Sequence, residues 1–341
     1  MILHSGLKIG KRLGSGAFGT VYLGEDEAHS TVAVKKLTRK AHWPDPVWNA
    51  WKARYLAEAK NLSKATHDNV VKVHHVDSSE DGETIYICMA FCAGGSLQEA
   101  FEAGPMPISD VRKIGTDVLM GLAALHARGM LHRDIKPANI LRDADGRSLI
   151  GDFGLVTDDI VFGYASDAGY YDHWAFEIWH GKGTSERTDI WAMGATIYRL
   201  LHGELWYEES PDPKTLIENG GYADGLKWLP HVPRKWRRVL RQMMEDDTKK
   251  RFQTANQALS ALSRLPVAPA WKTTVEPERV RWELTVGDRL RIVEWKRVPR
   301  AHEWVAWSEP RGKGQKKTLA GSNGIVSAAK AIRQLEDFLE A

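Results

Sequence analysis

The run His132-Arg133-Asp134-Ile135-Lys136-Pro137-Ala138-Asn139, followed by Asp152-Phe153-Gly154, constrains this chain more than any other feature. In a short span it supplies a carboxylate able to take a proton, a lysine able to meet a phosphate, and two groups, Asn139 and Asp152, that offer oxygens to a hard metal ion. Taken singly, each residue reads equally well as a helix cap or part of a surface loop. Together, in this order, they form the set that phosphoryl transfer needs.

The 341 residues leave room for one large two-lobed domain and a small extra one. Hydrophobic residues at 43% and charged residues at 27% give an ordinary globular composition, which excludes disordered and fibrous classes. The two cysteines, Cys88 and Cys92, fall in a buried strand pattern and the turn after it. They make no disulfide framework, so a reducing, cytoplasmic setting is expected. Met1 to Gly6 shows no charged region leading into an apolar core, and no signal peptide is expected. No apolar run approaches the length of a membrane span, so no membrane association is expected. The net charge of +3 is uneven. Residues 1–265 carry 33 Lys+Arg against 34 Asp+Glu, and residues 266–341 carry 14 against 10, so the basic excess belongs to the C-terminal quarter.

Residues 7–38 alternate as strands around a glycine-rich turn, with Ile9, Leu13, Val21 and Tyr22, then Val32, Ala33 and Val34. Helical spacing over Trp48–Ser63 places Trp48, Trp51, Tyr55 and Leu62 on related faces. Two further strands are expected at Val70–Val76 and Thr84–Phe91. From Ser109, an expected N-cap, Val111, Ile114, Val118, Leu122 and Leu125 follow at helical spacing up to Gly129. More helices are expected over Asp189–Leu201, Arg234–Met244 and Ala255–Leu265. Pro266-Val267-Ala268-Pro269-Ala270 then reads as a linker. Beyond it, three strands (Arg279–Val286, Arg289–Val298, His302–Ser308) precede an amphipathic helix over Gly324–Leu339 carrying Ile325, Ala329, Ile332, Leu335 and Leu339.

Gly14-Ser15-Gly16-Ala17-Phe18-Gly19-Thr20-Val21 has the spacing GxGxxGxV. Glycines there let backbone fold over phosphates without Cβ clashes. The same spacing also opens dinucleotide-binding folds or serves an ordinary hairpin. Its position between strands, with no helix following, argues against the dinucleotide fold. Val32-Ala33-Val34-Lys35 adds a lysine on the next strand, and Glu58, mid-helix, is its natural ion-pair partner. As isolated residues Lys36 and Glu25 serve as well, and either charge alone reads as a solvated surface group. The later motifs select Lys35 and Glu58.

These residues together resemble the eukaryotic-type (Hanks-type) protein serine/threonine kinases over about three quarters of the chain, and the short layout and compact activation segment suggest the bacterial style of that family. The resemblance implies an α+β, two-lobed fold with a β-rich N-lobe at about 7–90 and a helical C-lobe at about 91–265, together a kinase domain over 1–265. Residues 266–278 would be the linker, and 279–341 a small basic β-β-β-α domain. It implies ATP in the cleft between the lobes, Mg2+ as cofactor, and transfer of the γ-phosphoryl group to a protein hydroxyl. Asp134 would accept the proton as catalytic base, Lys136 would stabilise the transferring phosphate, and Lys35, held by Glu58, would pair with nucleotide phosphates. Asn139 and Asp152 would hold the metal. Gly14, Ser15, Gly16, Ala17, Phe18 and Gly19 would cover the phosphates, and Val21 and Ala33 would sandwich the adenine. Met89 would stand at the back of the pocket, with Ala90-Phe91-Cys92 as the hinge.

The resemblance also implies an apolar column of Leu62, Val73, His132 and Phe153 based on Asp189, and a pairing of Arg251 with Glu177. The family's Ala-Pro-Glu appears here as Ala175-Phe176-Glu177, and Ala168–Trp174 lacks the threonine usual near the catalytic aspartate. Arg133 implies a negative partner on the activation segment. Phosphorylated Thr157 or Ser166, less readily Tyr164, Tyr170 or Tyr171, would serve, and so would unmodified Asp158, Asp159 or Asp167. A nucleotide-binding pseudokinase or scaffold is the alternative function, although its usual sign is loss of Lys35, Asp134, Asn139 or Asp152. A small-molecule phosphotransferase of the aminoglycoside-kinase type fits the lysine after Asp134 and the glycine-rich loop less well.

Residues 279–317 carry eleven Lys+Arg against five Asp+Glu, with Trp282, Trp295, Trp304 and Trp307 interleaved and a basic turn over Arg311–Lys317. Basic strands with aromatics and a helix loosely resemble small nucleic-acid-binding modules. A protein-docking module and a stabilising appendage are the other readings. In the last, the tryptophans face the helix as a small core and the charges are solvated.

Overall fold

The computed structural model describes residues 6–16, 19–64, 66–152, 174–210 and 213–340. The first sheet has the order β1-β2-β3-β5-β4, from β1 (Lys8–Gly16), β2 (Gly19–Asp26), β3 (Ser30–Thr38), β4 (Val73–Ser78) and β5 (Thr84–Ala90). Helix α1 (Asp45–Lys64) lies between β3 and β4 in the chain. It stacks Trp48, Trp51 and Tyr55 in series, with ring centroids 5.3 and 4.8 Å apart, which explains the aromatic spacing along one face.

Next come α2 (Gln98–Ala103), α3 (Ile108–His126), the small hairpin of β6 (Ile140–Arg142) and β7 (Ser148–Ile150), then α4 (Phe176–Trp179) and α5 (Glu186–Glu208). They are followed by α6 (Pro213–Asn219), α7 (Tyr222–Gly225), α8 (Arg234–Met243) and α9 (Ala255–Ser263). Helix α5 is buried on nearly every side from Thr188 to Tyr207, so it is the axis around which α3 and α8 pack. Gly194 makes the close approach of α8 possible, since a Cβ there would lie 2.9 Å from Met243 and Met244 side chains. Ser109 is not the N-cap of α3. Pro107 takes that place, its extended backbone starting the helix two residues earlier than expected.

The C-terminal sheet corrects the expected β-β-β-α arrangement. It has five strands in the order β12-β11-β10-β9-β8, followed by α10 (Ala328–Glu340). The expected three are β9 (Arg279–Val286), β10 (Arg289–Val298) and β11 (Ala301–Pro310). β8 (Lys272–Glu276) falls in the segment read as linker, where Thr273 and Val275 alternate inward over too few residues to stand out beside the prolines. β12 (Lys317–Gly321) follows the basic turn as an exposed edge. Ile325 lies outside α10 and is exposed, while Ala331, Leu335 and Leu339 are buried.

The tryptophans expected to face the helix divide between two neighbours. Trp304 packs on Phe338 of α10 and donates to Gln334 Oε1 at 3.0 Å. Trp295 instead meets Trp206 of α5, at 6.4 Å between centroids, and Trp282 lies near His231. One continuous core therefore runs from α3 and α5 into the second sheet. No helix among the described residues is long and apolar enough to cross a membrane.

Candidate active site

The glycine-rich turn joins β1 to β2, with Gly14 opposite Val21, Ser15 opposite Thr20 and Gly16 opposite Gly19. Gly19 has φ +139°, and a Cβ on it would stand 2.3 Å from the carbonyl oxygen of Lys36. Only glycine fits that approach of β2 to β3. Ala17 and Phe18 lie outside the described residues.

β3 sets Lys35 between Val21 of β2 and Ile87 of β5, with its ammonium buried and ion-paired to the Asp152 carboxylate. Burial by itself would push the Lys35 pKa down. The neighbouring Tyr55 and Asp152 outweigh it and hold the lysine firmly charged. Glu58, the expected partner, falls in α1, and its side chain lies outside the described residues. Tyr55, one turn earlier, shares its helical spacing with Trp48, Trp51 and Leu62, and nothing in that spacing distinguishes a group that acts on Lys35 from a core residue.

Ala33 pairs with Met89 and with Leu23, and it is nearly buried. Val71, Cys92 and Leu149 form a small apolar cluster against which Met89, Ala90 and Leu141 pack. Leu141 was not picked out from the sequence. Gly151 permits its position, because a Cβ there would lie 2.9 Å from the Leu141 side chain. The expected cleft would thus have an apolar end at Ala33, Met89, Ala90, Cys92 and Leu141 and a charged end at Lys35 and Asp152.

The loop after α3 is held from below by Asp189 of α5. Its carboxylate accepts the backbone N–H of His132 at 2.9 Å and of Arg133 at 2.7 Å, and it lies 2.9 Å from His126 Nε2. Burial would raise the Asp189 pKa, but the hydrogen bond and charge of His126, with His132, bring it below the ordinary value. The anchoring offsets an unusual backbone: Arg133 has φ +67° and Asp152 φ +47°, both left-handed without glycine. His132 is fully buried, and burial lowers its pKa. Its Nε2 lies 3.0 Å from the Gly151 carbonyl, and its Nδ1 accepts from Asp134 N–H at 3.3 Å, which fits a neutral ring protonated on Nε2. His132 therefore ties the two motifs together.

Asp134 Oδ2 accepts from Asn139 Nδ2 at 2.7 Å and from Lys136 Nζ at 3.0 Å, and Asn139 Nδ2 also donates to the Asp134 carbonyl at 2.8 Å. The structure brings Asp134, Lys136 and Asn139 into one cluster, and Lys35 and Asp152 into another linked to it through His132 and Gly151. Val73 and His132 of the expected column are buried. Phe153 and the Leu62 side chain lie outside the described residues, as do Thr157, Asp158, Asp159, Tyr164, Ser166, Asp167, Tyr170 and Tyr171. Arg133 Nε donates to Thr184 Oγ1 at 3.1 Å, a contact the sequence did not suggest.

Arg251 and Glu177 form the expected buried pair, bidentate at 2.6 and 2.9 Å. Phe176, which stands where the family has a proline, starts α4 and packs at a tilt on His180, 4.1 Å between centroids.

The protein kinase domain family model matches residues 7–262. The chain belongs to the protein kinase family. It is of the Hanks type, since its curated relatives include serine/threonine kinases from bacteria and eukaryotes. It is 30% identical over 278 residues to the serine/threonine-protein kinase pkn2 of Myxococcus xanthus, covering 77% of this chain and 33% of that protein. It is 26% identical over 249 residues to the serine/threonine-protein kinase PrkC of Bacillus subtilis, covering 71% of this chain and 38% of that one. The mitogen-activated protein kinase kinase kinase ANP1 of Arabidopsis thaliana is 33% identical over 208 residues, covering 59% of this chain and 31% of that protein. The chain thus spans about a third of the length of these relatives.

Proposed function

We propose that this kinase transfers the γ-phosphoryl group of ATP to a serine or threonine hydroxyl of a protein, with Asp134 as the base. The observation that carries the reading is the Asp134 carboxylate, oriented on one oxygen by Asn139 and Lys136. A base must be fixed within reach of the proton it takes, and these two donors fix the Asp134 carboxylate. Lys136 can neutralise charge on the transferring group, and Lys35 can pair with nucleotide phosphates once these enter beside Asp152. The apolar end suits a planar base resting on Ala33, Val21 and Leu141 below Met89, with backbone groups of Ala90 and Cys92 at its edge.

Asn139 and Asp152 offer the oxygens that Mg2+ requires, and Asp152 is partly open to the cleft, so the donor set fits that ion. Bound Mg2+ would neutralise phosphate charge. The alternative, a nucleotide-binding scaffold, would be expected to lack one of Lys35, Asp134, Asn139 or Asp152.

The kinase domain is proposed to end near residue 265, with the C-terminal sheet and α10 as an attached module. Burial of Trp282, Trp295, Trp304 and Trp307 supports a buttress for the helical lobe, because those rings are not available to stack on bases. The exposed turn 311–317 is the part of the module suited to an acidic protein or a nucleic-acid backbone.

The test is label transfer from γ-labelled ATP with magnesium, comparing the chain with Asp134→Asn. The expected loss is about 10²–10⁴-fold. Equal labelling in both proteins would overturn the assignment of the base.

A further inference from the structure

The outer face of the first sheet, away from the cleft, carries a second cluster of reactive side chains. Asp26 ends β2, His75 lies on β4 and Cys88 on β5, and their donor atoms all lie within 4.8 Å of one another. The register explains why. Val73 pairs with Met89, but His75, two residues on, pairs with the next residue, Cys88, so β4 bulges at His74. A bulge re-aims the following side chain, and here it sets His75 directly across from the thiol.

A cysteine on an apolar sheet face is ordinarily a small hydrophobe, and Cys88 does touch Leu7, Val32, Val34 and Tyr86. The carboxylate beside it is not ordinary. Asp26 is buried, and a buried aspartate is rarely found without full pairing. Its Oδ1 accepts from Ala28 N–H and His29 N–H at 3.1 and 2.9 Å and lies 2.8 Å from His29 Nδ1. Its Oδ2 takes part in none of these bonds and faces His75 Nε2 at 3.8 Å, beyond hydrogen-bonding reach. That ring nitrogen is buried and has no hydrogen-bond partner among the described residues, and neither does His74 Nδ1. His74 stacks on His29 at 3.9 Å, closing the rim.

We propose that this cluster binds a divalent metal ion of the zinc type through Asp26, His75 and Cys88. Thiolate, imidazole and carboxylate together suit Zn2+ better than Mg2+ or Ca2+, which take oxygen alone. Tetrahedral bonds of about 2.0–2.1 Å separate a nitrogen and an oxygen ligand by roughly 3.3 Å, so the His75–Asp26 spacing of 3.8 Å would close by about half an ångström around the ion. Burial and the Asp26 charge push the Cys88 thiol up to about 12, so binding must displace its proton to solvent. The ion would tie the β2–β3 turn to β4 and β5. On the opposite face of the same strands, Cys88's neighbour Met89 borders the cleft. The proposal does not depend on the cleft's chemistry.

The experiment uses the full chain, stripped by chelator and kept in excess magnesium to fill the oxygen ligands of the cleft. It is titrated with Co2+ as a spectroscopic stand-in for Zn2+. Expected is one equivalent bound per chain with a thiolate-to-metal absorption band, displaced by Zn2+. The band should vanish in Cys88→Ser and persist in Cys92→Ser. His75→Ala, at a partly exposed position that spares the core, should weaken binding by at least roughly tenfold. No thiolate band in the unaltered chain, a band that follows Cys92, or unchanged affinity in His75→Ala would each overturn the site.

Discussion

Two five-stranded antiparallel sheets in this molecule are built to opposite ends. In the first, register breaks at Ile9/Arg12, Arg12/Gly14 and Val73/His75, glycines approach backbone closely, and a lysine is buried beside the cleft. In the second, the central β10 pairs with β9 and β11 in unbroken register, a break falls only at Ala306/Trp307 against the edge strand β12, and tryptophans seal the sheet against α5 and α10. Irregularity re-aims side chains and suits a site; regularity maximises packing and suits support. On the proposed reading, the first sheet and its helical neighbour serve catalysis and the second sheet serves stability.

The sharpest way to break this contrast is Trp282→Ala, which removes a fully buried indole from the second sheet. It should cost about 3–5 kcal/mol of stability. The specific activity of the molecules that remain folded should be unaltered. Denaturant unfolding with parallel activity measurements checks both halves, and activity lost without stability would give the second sheet a direct part in catalysis. Lys35→Met tests the reverse. It should lower turnover by about 10²–10³-fold. The unfolding midpoint should move little if, as proposed, the lysine and Asp152 serve the nucleotide more than the fold. A large loss of stability with turnover intact would place Lys35 in the scaffold.

Legibility in the sequence followed the same division. His132 to Asn139 act within one loop, so their arrangement could be read from adjacency, and the pairing of Arg251 with Glu177 was available through the resemblance. The link between Lys35 and Asp152 spans 117 residues and is not legible in the sequence, which pairs Lys35 with Glu58 instead. The second sheet was read less well. Alternation tells which side of a strand is buried but not what buries it, so Trp295 and Trp304 looked alike although one meets α5 and the other α10. β8 and β12 are short, one beside prolines and one exposed, and periodicity over five residues carries little information. The bulge at His74 was invisible because it depends on which residue of β5 stands opposite.

The smallest effect expected concerns the seam between the helical lobe and the second sheet. His231 and His202 are buried there. His231 Nε2 lies 3.3 Å from Thr273 Oγ1 of β8, and burial with the nearby Arg237 charge holds His231 down to about 3. Burial pushes His202 in the same direction, well below its usual value. A histidine depressed in the folded state stays neutral there while the unfolded chain takes up its proton below about pH 6.5, so stability falls as pH drops from that value toward 3. At pH 5 the loss is on the order of 2 kcal/mol for His231. Carboxylates held below their usual range, such as Asp189, add their own loss only at lower pH. Unfolding measured at pH 7 and pH 5 for the chain and for His231→Gln isolates the seam: the variant should show the shallower pH dependence. Identical slopes would mean that His231 takes up its proton without strain, and that the seam is wetter than the tryptophan-sealed sheet beside it.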